Sequence, residues 1–410
     1  LKIVNGASYS IWTVYDDIEI DNVIVHNSGN WGIYASSSER LTISNSIISS
    51  SSNGGIYTYN SATIKNSNII DNNYYGIYIA GTQNNIENST VSGTTCSGSC
   101  SINGDGIYIF GNSAFIYNNT ISNNSNNGIY ADGSSSSRYI SNKVVDNDAH
   151  GLILDYNLGG NSGLVLHNQI LRNEKSGLCL SYVDINKIES NTIQDNGENG
   201  ILFLGSVQNF LWNNTISNND EYDVTFDSSS DNNYAINTEF DAISVSSDST
   251  LTVKEYFVLD VNDASGSNMS GVDIKVMEDD SQKYATFYFG GTDPKTDSSG
   301  TITTFLINSK KYDGSSTPTT IPTYVTARNH DWVETFTSNP SSTILITVPD
   351  LRVQNIRTGT LTYHIQTSID AAEEGDTVRA WNGTYYENID ITEELILKGN
   401  GTTTIINGNS

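Results

Sequence analysis

A short segment that recurs about once every 23 residues constrains the fold of this chain more than any other feature. A glycine followed by mostly apolar residues occurs eight times, at spacings of 23, 21, 30, 22, 23, 26 and 23 residues. These glycines are Gly32, Gly55, Gly76, Gly106, Gly128, Gly151, Gly177 and Gly200. A second segment, with an asparagine two residues after an apolar residue, keeps the same period. Its polar positions are Asn22, Asn45, Asn66, Asn88, Asn118, Asn142, Asn168, Ser190 and Asn213.

Each repeat is predicted to form one turn of a coil of short β-strands, in which matching residues stack about 4.8 Å apart. The residues after the glycines then form one wall of a continuous core: Ile33, Ile56, Ile77, Ile107, Ile129, Leu152, Leu178 and Ile201. Asparagine tolerates left-handed backbone and can hydrogen-bond the same amide one coil away, so its row predicts a tight corner. Leucine-rich repeats of this length would need a fixed leucine pattern and helical segments, which this sequence lacks. The prediction is an all-β solenoid.

These motifs resemble the right-handed parallel β-helix of the pectin-lyase-like class, in particular surface proteins built from Asn-Gly-Ile-Tyr coils. The resemblance covers residues 1–238, and after Phe226 the period fades. It implies the fold and leaves the activity open, because this fold is shared by lyases, hydrolases, epimerases, adhesins and structural proteins.

Two further regions are predicted after the coils. Residues 239–350 contain alternating apolar runs broken by turn residues, which predict an antiparallel β-sandwich and resemble immunoglobulin-like or carboxypeptidase-regulatory-like modules. Residues 351–410 begin with Ile365, Ile369 and Ala372 on one helical face and Gly375 placed to end the helix. That region is similar to the amino-terminal cap and first coils of pectin-lyase-like helices, and it is predicted to complete the β-helix of the next unit.

The charge balance excludes some partners. The formal net charge is -27 with only 19 lysines and arginines, so nucleic acid is not an expected partner. No run of about 18 apolar residues is present, so no membrane span is expected. No zinc-ligand spacing occurs, and no cofactor is predicted. Calcium stays an open alternative at Asp146, Asp148, Asp220 or Asp223.

The cysteines and sequons favour an extracellular glycoprotein. Cys96 and Cys100 lie in a Thr/Ser/Gly loop with no histidine near, so a small local disulfide is predicted. Seven Asn-x-Ser/Thr sequons are candidate glycosylation sites. Their asparagines are Asn88, Asn118, Asn123, Asn213, Asn268, Asn382 and Asn400.

An outward apolar stripe follows from strand alternation, since the residue after each core isoleucine points away from the core. Its aromatic members are Tyr34, Tyr57, Tyr78, Tyr108 and Tyr130, and it continues through Ile153, Cys179 and Leu202. Three interpretations stay open: a stacked tyrosine ladder that stabilises the sheet, a surface packed against another domain or subunit, and a sugar-stacking platform.

The best catalytic candidate is the segment from Asp146 through Asp148 to His150, with Arg172 and Lys175 one coil on. Paired carboxylates beside a cation could abstract a proton next to a uronate carboxylate or hydrolyse a glycosidic bond. The same turn in other coils is equally polar, however, as turn conformation alone requires. The sequence therefore predicts no catalytic residues and a protein that is not an enzyme.

The favoured function is an extracellular structural protein, a subunit of a surface layer or filament. The chain has no cap before its first coil and ends on opening coils, so two open strand faces are expected to join copies or tandem units head to tail. The predicted interface residues are Leu1, Ile3, Ile11, Ile18, Leu395, Leu397, Ile405 and Ile406. Alternatives are an adhesin that binds surface glycans and, third, a polysaccharide lyase or hydrolase.

Overall fold

The computed structural model describes residues 1–37, 39–96, 104–133, 135–155, 163–184, 186–338, 343–350 and 352–408. The chain divides into two compact units. The first contains Leu1–Lys254 and Lys310–Thr319, and the second contains Glu255–Ser309 and Thr320–Ser410. Among the described residues, no helix has the length and apolar character needed to cross a membrane.

The first unit is a parallel β-solenoid with three sheets, so the predicted fold class is confirmed. The first sheet contains Lys2–Val4, Ile24–His26, Ile47–Ser49, Asn68–Ile70, Thr90–Ser92, Thr120–Ser122, Lys143–Val145, Gln169–Leu171, Thr192–Gln194 and Thr215–Ser217. The second contains Ile11–Thr13, Trp31–Ala35, Gly54–Thr58, Tyr75–Ile79, Asp105–Phe110, Ile129–Asp132, Leu152–Asp155, Leu178–Ser181, Ile201–Leu204, Val224–Asp227 and Ile243–Val245. The third contains Glu19–Asp21, Thr42–Ser44, Thr63–Lys65, Asn85–Glu87, Phe115–Tyr117, Arg138–Ile140, Leu164–Leu166, Lys187–Glu189, Phe210–Trp212, Asn233–Ile236 and Thr250–Phe257.

The core of the solenoid is built from the rows that the repeat predicts. Ile56 pairs with Ile33 on one side and with Ile77 on the other, and the row continues in register to Leu178 and Ile201. Every member of this row is at most 1% exposed. Identical or similar apolar side chains therefore stack along the solenoid and exclude water from its interior.

Besides a short ladder through Asn186, Asn209 and Asn233, two long asparagine ladders line the corners of the coils. The first runs through Asn119, Asn142, Asn168, Asn191 and Asn214, and the second through Asn124, Asn147, Asn173, Asn196 and Asn219. In each, the side-chain amide donates to the next side-chain oxygen at 2.8–3.1 Å.

The predicted corner row needs a correction. Seven of the nine predicted positions are left-handed, but in two coils the left-handed residues are Ser141 and His167. The seven are Asn22, Asn45, Asn66, Asn88, Asn118, Ser190 and Asn213. Asn142 and Asn168 lie one residue later and belong to the buried ladder. Because coil lengths vary, the sequence pattern merged two adjacent rows with different roles.

The solenoid also extends beyond the predicted boundary at residue 238. Val224 pairs with Ile243, and Ala235 pairs with Val253, both in parallel. The regular coil therefore ends near Lys254, where the first unit changes to the second.

The second unit contains several small sheets. Ser281–Ala285, Asp273–Glu278, Thr323–Asn329 and Trp332–Ser338 form an antiparallel sheet, and Leu259–Asp263 pairs in parallel with Ile344–Val348. Leu361–Thr362, Val353–Asn355, Thr377–Ala380 and Ile396–Gly399 form another sheet, and Gly383–Tyr385 pairs with Thr404–Ile406. The remaining elements are a 3₁₀ turn at Phe287–Phe289, the strands Phe305–Asp313 and Thr319–Thr320, which lie partly in the first unit, and the helix Ile365–Asp370. Ile365 and Ile369 are buried on that helix, which ends at Asp370, before the predicted Gly375.

Candidate active site

The residues that precede the repeat glycines stack in a column along the second sheet. Trp31 pairs with Gly54, Gly54 with Tyr75, and Tyr75 with Asp105. The backbone continues the stack, because Gly128 N–H donates to His150 O at 2.9 Å and Gly151 N–H donates to Ser176 O at 3.1 Å. We call this row the pre-glycine column; it contains Trp31, Gly54, Tyr75, Asp105, Asn127, His150, Ser176 and Asn199.

Glycine is required beside this column because the backbone passes close to an asparagine ladder. A Cβ atom on Gly128 would lie 2.5 Å from Val144 Cγ1 and 2.8 Å from Asn147 Nδ2. Those distances are too short for a real side chain, so the glycine cannot be replaced without moving the core. The residue before it can vary in chemistry because it points away from the ladder.

A cavity of 490 Å³ opens over the middle of the column. Its lining residues are Tyr75, Asp105, Tyr108, Asn126, Asn127, Tyr130, Ala149, His150, Ile153 and Lys175. They come from consecutive coils, so residues distant in sequence are brought to one place by the stacking. The volume lies within the range of small-molecule sites.

Asp105 is the carboxylate of this cavity and is only 2% exposed. Its Oδ1 accepts three hydrogen bonds, from Asn126 Nδ2 at 2.9 Å, Asn127 N at 3.1 Å and Asn127 Nδ2 at 2.9 Å. Burial raises the pKa of Asp105 to about 7, although these hydrogen bonds oppose the rise. Since all the hydrogen bonds recorded for its carboxylate among the described residues reach Oδ1, Oδ2 is the oxygen available to a bound molecule. The carboxyl group therefore exchanges a proton near neutral pH.

Asn127 connects Asp105 to His150 across three coils. While its side-chain amide donates to Asp105, its Oδ1 accepts from His150 N–H at 3.1 Å. Burial, with a smaller effect from the charge of Lys175, lowers the pKa of His150 to about 4. His150 Nδ1 is buried and has no hydrogen-bond partner among the described residues. The imidazole is therefore neutral at pH 7 and one of its nitrogens is unsatisfied.

Two tyrosine hydroxyls beside the cavity are already engaged. Tyr108 Oη donates to Asp132 at 3.1 Å, and Tyr130 Oη donates to Asp155 at 2.7 Å. Burial, reinforced by those carboxylates, raises the pKa of both tyrosines well above the usual range. Neither tyrosine is thus suited to act as a phenolate base at neutral pH.

The structure divides the segment that the sequence offered as its best catalytic candidate. His150 and Lys175 line the cavity, whereas Asp146 forms an ion pair with Arg172 on the surface at 2.8 Å and Asp148 is exposed. Asn147, between those carboxylates, belongs to the buried ladder. Sequence reasoning missed Asp105, although its position immediately before a repeat glycine was a usable signal.

The predicted stripe forms one stacked column. Successive rings from Tyr34 through Tyr57, Tyr78 and Tyr108 to Tyr130 have centroids 4.6–5.3 Å apart. Tyr9 stacks on Tyr34 at 4.7 Å. Because the rings face one another, they present their edges and hydroxyls to solvent, and their faces are not available to a flat sugar ring.

Other predicted positions are found as follows. Cys96 is disulfide-bonded, and its predicted partner Cys100 lies outside the described residues. Cys179 is free and buried, and burial raises the pKa of its thiol to about 12. All seven sequon asparagines are exposed: Asn88, Asn118, Asn123, Asn213, Asn268, Asn382 and Asn400.

The predicted interface residues are only partly exposed. Leu1 is 81% exposed, Ile405 51% and Ile406 44%, whereas Ile3, Ile11 and Ile18 pack against the solenoid core. Leu395 and Leu397 pack against a small core around Val378.

The calcium alternative gains no cluster of ligands. In the part of the chain that the structure describes, no group of three or more His, Cys, Asp or Glu side chains is placed to hold a metal ion. Asp223 is buried, and its carboxylate accepts hydrogen bonds from Asn219 Nδ2 and from the backbone of Asp241 and Ala242. Asp220 is exposed.

Known proteins of similar fold include enzymes. The A-module of mannuronan C-5 epimerase AlgE4 from Azotobacter vinelandii is 15% identical, with a TM-score of 0.42 over 60% of this chain and 70% of that chain. A double mutant of the periplasmic alginate epimerase AlgG is 17% identical, with a TM-score of 0.39 over 57% and 73%. The Dettilon tailspike protein is 14% identical, with a TM-score of 0.41 over 80% and 69%. No curated protein matches the chain significantly.

At such identities the likeness concerns the fold alone. Structures that share this fold include epimerases, which contradicts the prediction that the chain is not an enzyme, and that prediction is withdrawn. The family model for the right handed beta helix region matches residues 59–209, 101–240 and 157–276, which together span more than half of the chain. The stacked sheets and the family match agree, and this chain belongs to the right-handed β-helix family.

Proposed function

We propose that the chain is an extracellular enzyme that acts on a uronate-containing polysaccharide by abstracting the proton next to the sugar carboxylate. The observation that carries the proposal is the buried Asp105, whose pKa is about 7, in a cavity that also holds the neutral His150 and the cation Lys175. A general base is most effective when its pKa lies near the working pH.

The cavity residues have complementary roles in such a reaction. Asp105 Oδ2 accepts the proton from carbon, while Lys175 binds the carboxylate of the same sugar. As the proton leaves, negative charge develops on that carboxylate, and a nearby ammonium group stabilises it. His150 remains uncharged, so it can hydrogen-bond the sugar without adding a second positive charge. The carbanion then either expels the neighbouring glycosidic oxygen or regains a proton.

Hydrolysis by two carboxylates is less well supported. Glycosidases use a pair of carboxyl groups that flank the scissile bond. Among the described residues that line the cavity, Asp105 is the one carboxylate. Asp132 and Asp155 instead accept hydrogen bonds from Tyr108 and Tyr130, so each carboxylate already has a partner.

The charge of the chain predicts how such a substrate associates. The net charge of -27 repels a polyanion at long range, whereas the cavity is locally neutral or positive because Asp105 is partly protonated near pH 7. Salt screens the long-range repulsion. The rate at low substrate concentration is therefore expected to rise with moderate salt.

Solvent isotope exchange tests the proposal without presupposing the product. The chain is incubated in D₂O with polymannuronate, polyguluronate or polygalacturonate, and deuterium at C5 and unsaturated products are followed by NMR. We expect exchange or elimination with one of these polymers, and a large loss of it in Lys175→Ala. Lys143→Ala, which removes an exposed lysine from a neighbouring sheet, is the matched control. Absence of both reactions with all three polymers would refute the proposal.

Head-to-tail self-association is the second candidate function. It is supported by the exposure of apolar side chains on strands near both ends of the sequence, such as Trp12 at 61% and Ile405 at 51%. Sedimentation and electron microscopy of the whole chain and of an Ile405→Lys, Ile406→Lys variant test it. Assembly that is equal in both proteins, or absent from both, would reject these strands as the joint.

A further inference from the structure

A second cavity lies within the second unit. It has a volume of 350 Å³ and is lined by Asp350, Arg352, Trp381 and Asn382. A cavity of 290 Å³ adjoins it, shares Asp350 and Arg352, and also includes Tyr386, which is 66% exposed. Aromatic side chains and both signs of charge therefore line these two neighbouring cavities.

The polar side chains of the larger cavity have no side-chain hydrogen bond or ion pair with any residue that the structure describes. For Asp350, Arg352, Trp381 and Asn382, no side-chain hydrogen bond or ion pair is recorded among the described residues. Neighbouring polar groups, by contrast, have structural roles. Glu387 accepts hydrogen bonds from the backbone of Ile365 and Gln366 at the start of the helix, both at 2.9 Å. Because Asp350, Arg352 and Asn382 are exposed, these polar groups converge at one cavity and are free to bind a polar ligand from solution.

The arginine is held at the cavity by its backbone. Trp381 N–H donates to Arg352 O at 2.8 Å, and Tyr385 Oη donates to the same oxygen at 3.0 Å. The guanidinium group then passes over Gly383, where an added Cβ atom would lie 2.8 Å from Nη1. Gly383 has a φ of 153°, so its lack of a side chain permits both the backbone conformation and the position of the guanidinium group.

The mixture of charges selects the class of ligand. An anion would be repelled by Asp350, and a cation by Arg352. A sugar with vicinal hydroxyls satisfies both, because hydroxyl groups donate to a carboxylate and accept from a guanidinium. The apolar face of a pyranose ring also packs on aromatic side chains such as Trp381 and Tyr386.

We infer that the cavity formed by Asp350, Arg352, Trp381 and Asn382 binds a neutral pyranose unit of a glycan. This site is independent of the proposed catalytic cavity and needs no enzymatic activity. It differs from the tyrosine stripe, in which the ring faces cover one another.

Ligand-observed NMR with the whole chain tests the inference. The probes are the methyl glycosides of glucose, mannose and galactose, with methyl glucuronide as an anionic comparison. The protein is produced in a host that attaches no N-glycans, because Asn382 is also a sequon. We expect saturation transfer to at least one neutral glycoside, and affinity about tenfold lower in Trp381→Ala and in Arg352→Ala. Phe287→Ala and Arg138→Ala remove an exposed aromatic residue and an exposed arginine elsewhere, and Lys175→Ala alters the other cavity; all three should bind normally.

Three outcomes would overturn the inference. They are no transfer to any neutral glycoside, equal binding in Trp381→Ala and Arg352→Ala when circular dichroism shows both variants folded, and stronger binding of the glucuronide than of every neutral sugar.

Discussion

The second asparagine ladder and the pre-glycine column lie close together in the same coils, yet they differ in chemistry. In the ladder, Asn124, Asn147 and Asn173 are identical, and each amide is satisfied by the next. In the column, the residue type changes from coil to coil. Two of its residues, Asp105 and His150, are titratable, and both have strongly shifted pKa values. Repetition of one side chain stabilises the solenoid, whereas a change of side chain at one position in successive coils creates reactive groups. Substitutions in the ladder should therefore change stability, whereas substitutions in the column should change the reaction rate or a pKa.

The largest effect is expected from Asp105→Asn. The amide has the same shape and still accepts hydrogen bonds from Asn126 and Asn127, but it cannot accept a proton from carbon. The rate of C5 proton exchange should fall by about 10²- to 10⁴-fold. The midpoint of urea unfolding should not decrease. A rate within about threefold of the parent would exclude Asp105 as the base.

A ladder residue should affect stability instead of rate. Asn147→Ala removes the side-chain acceptor of Asn124 Nδ2 and the side-chain donor to Asn173 Oδ1 inside the solenoid, because Asn147 Oδ1 accepts from the first and its amide donates to the second. Each buried group without a partner costs about 1–3 kcal/mol. Urea unfolding measures the loss, and Asp148→Ala, at the next, exposed residue, should change stability by less than about 0.5 kcal/mol. Equal effects of the two variants would contradict the role of the ladder.

Asn127 and Asn199 offer a matched pair within the pre-glycine column. Both are asparagines and both are 6% exposed, but only Asn127 donates to Asp105. Because that hydrogen bond lowers the pKa of Asp105, Asn127→Ala should raise it further above about 7, and the turnover number should fall by about tenfold at neutral pH. Carboxyl ¹³C NMR measures the pKa, and Asn199→Ala should leave it unchanged. A pKa that does not move in Asn127→Ala would show that Asn127 does not position the carboxylate.

The two shifted groups should oppose each other in the pH dependence of stability. Asp105 has a folded pKa of about 7, above its ordinary 3.8, so the folded state binds more protons and stability falls as pH rises from about 4 to about 7. His150 has a folded pKa of about 4, below its ordinary 6.5, so its contribution rises with pH between about 4 and 6.5. Relative to the parent, Asp105→Asn should make the stability slope more positive, and His150→Gln should make it more negative. Denaturation at several pH values would reveal slopes of the wrong sign.

The smallest effect is expected from the carboxylates that the sequence favoured. Asp146 pairs with Arg172 on the surface, and pairs of this kind contribute at most about 1 kcal/mol. Asp146→Asn and Asp148→Asn should therefore leave the exchange rate unchanged and alter stability only slightly. A loss of activity comparable to that of Asp105→Asn would move the site to this surface turn.

The repeat predicted the fold because it places the same residue types at regular intervals along the sequence. Ile33, Ile56 and Ile77 recur after a glycine, and a core requires such rows, so both the sheet and its register follow from the sequence. The corners were less predictable. Ser141 and His167 adopt the left-handed conformation that asparagine favours elsewhere, and no local pattern distinguishes them from the ladder residues that follow.

The candidate site could be predicted only in part. His150 and Lys175 belong to the candidate of paired carboxylates beside a cation that the sequence analysis considered, and both line the cavity. Asp105 belongs to no local motif, and its reactivity arises from burial beneath side chains contributed by other coils. Stacking of the coils brings Asp105 and His150 to the same cavity. This stacking depends on the lengths of the intervening loops. A comparison of the residues before successive glycines would have identified it.

The separation between a fixed glycine and a variable preceding residue has a consequence for how proteins of this architecture change. A substitution at that preceding position alters the chemistry of the pre-glycine column, while the glycine next to it preserves the packing against the asparagine ladder. New acids, bases or amides can therefore be introduced one rung at a time, at intervals of about 4.8 Å, without redesign of the scaffold. The solenoid therefore offers a straight row of equivalent positions for functional groups. An engineer could move a reactive centre along this row by exchanging single side chains.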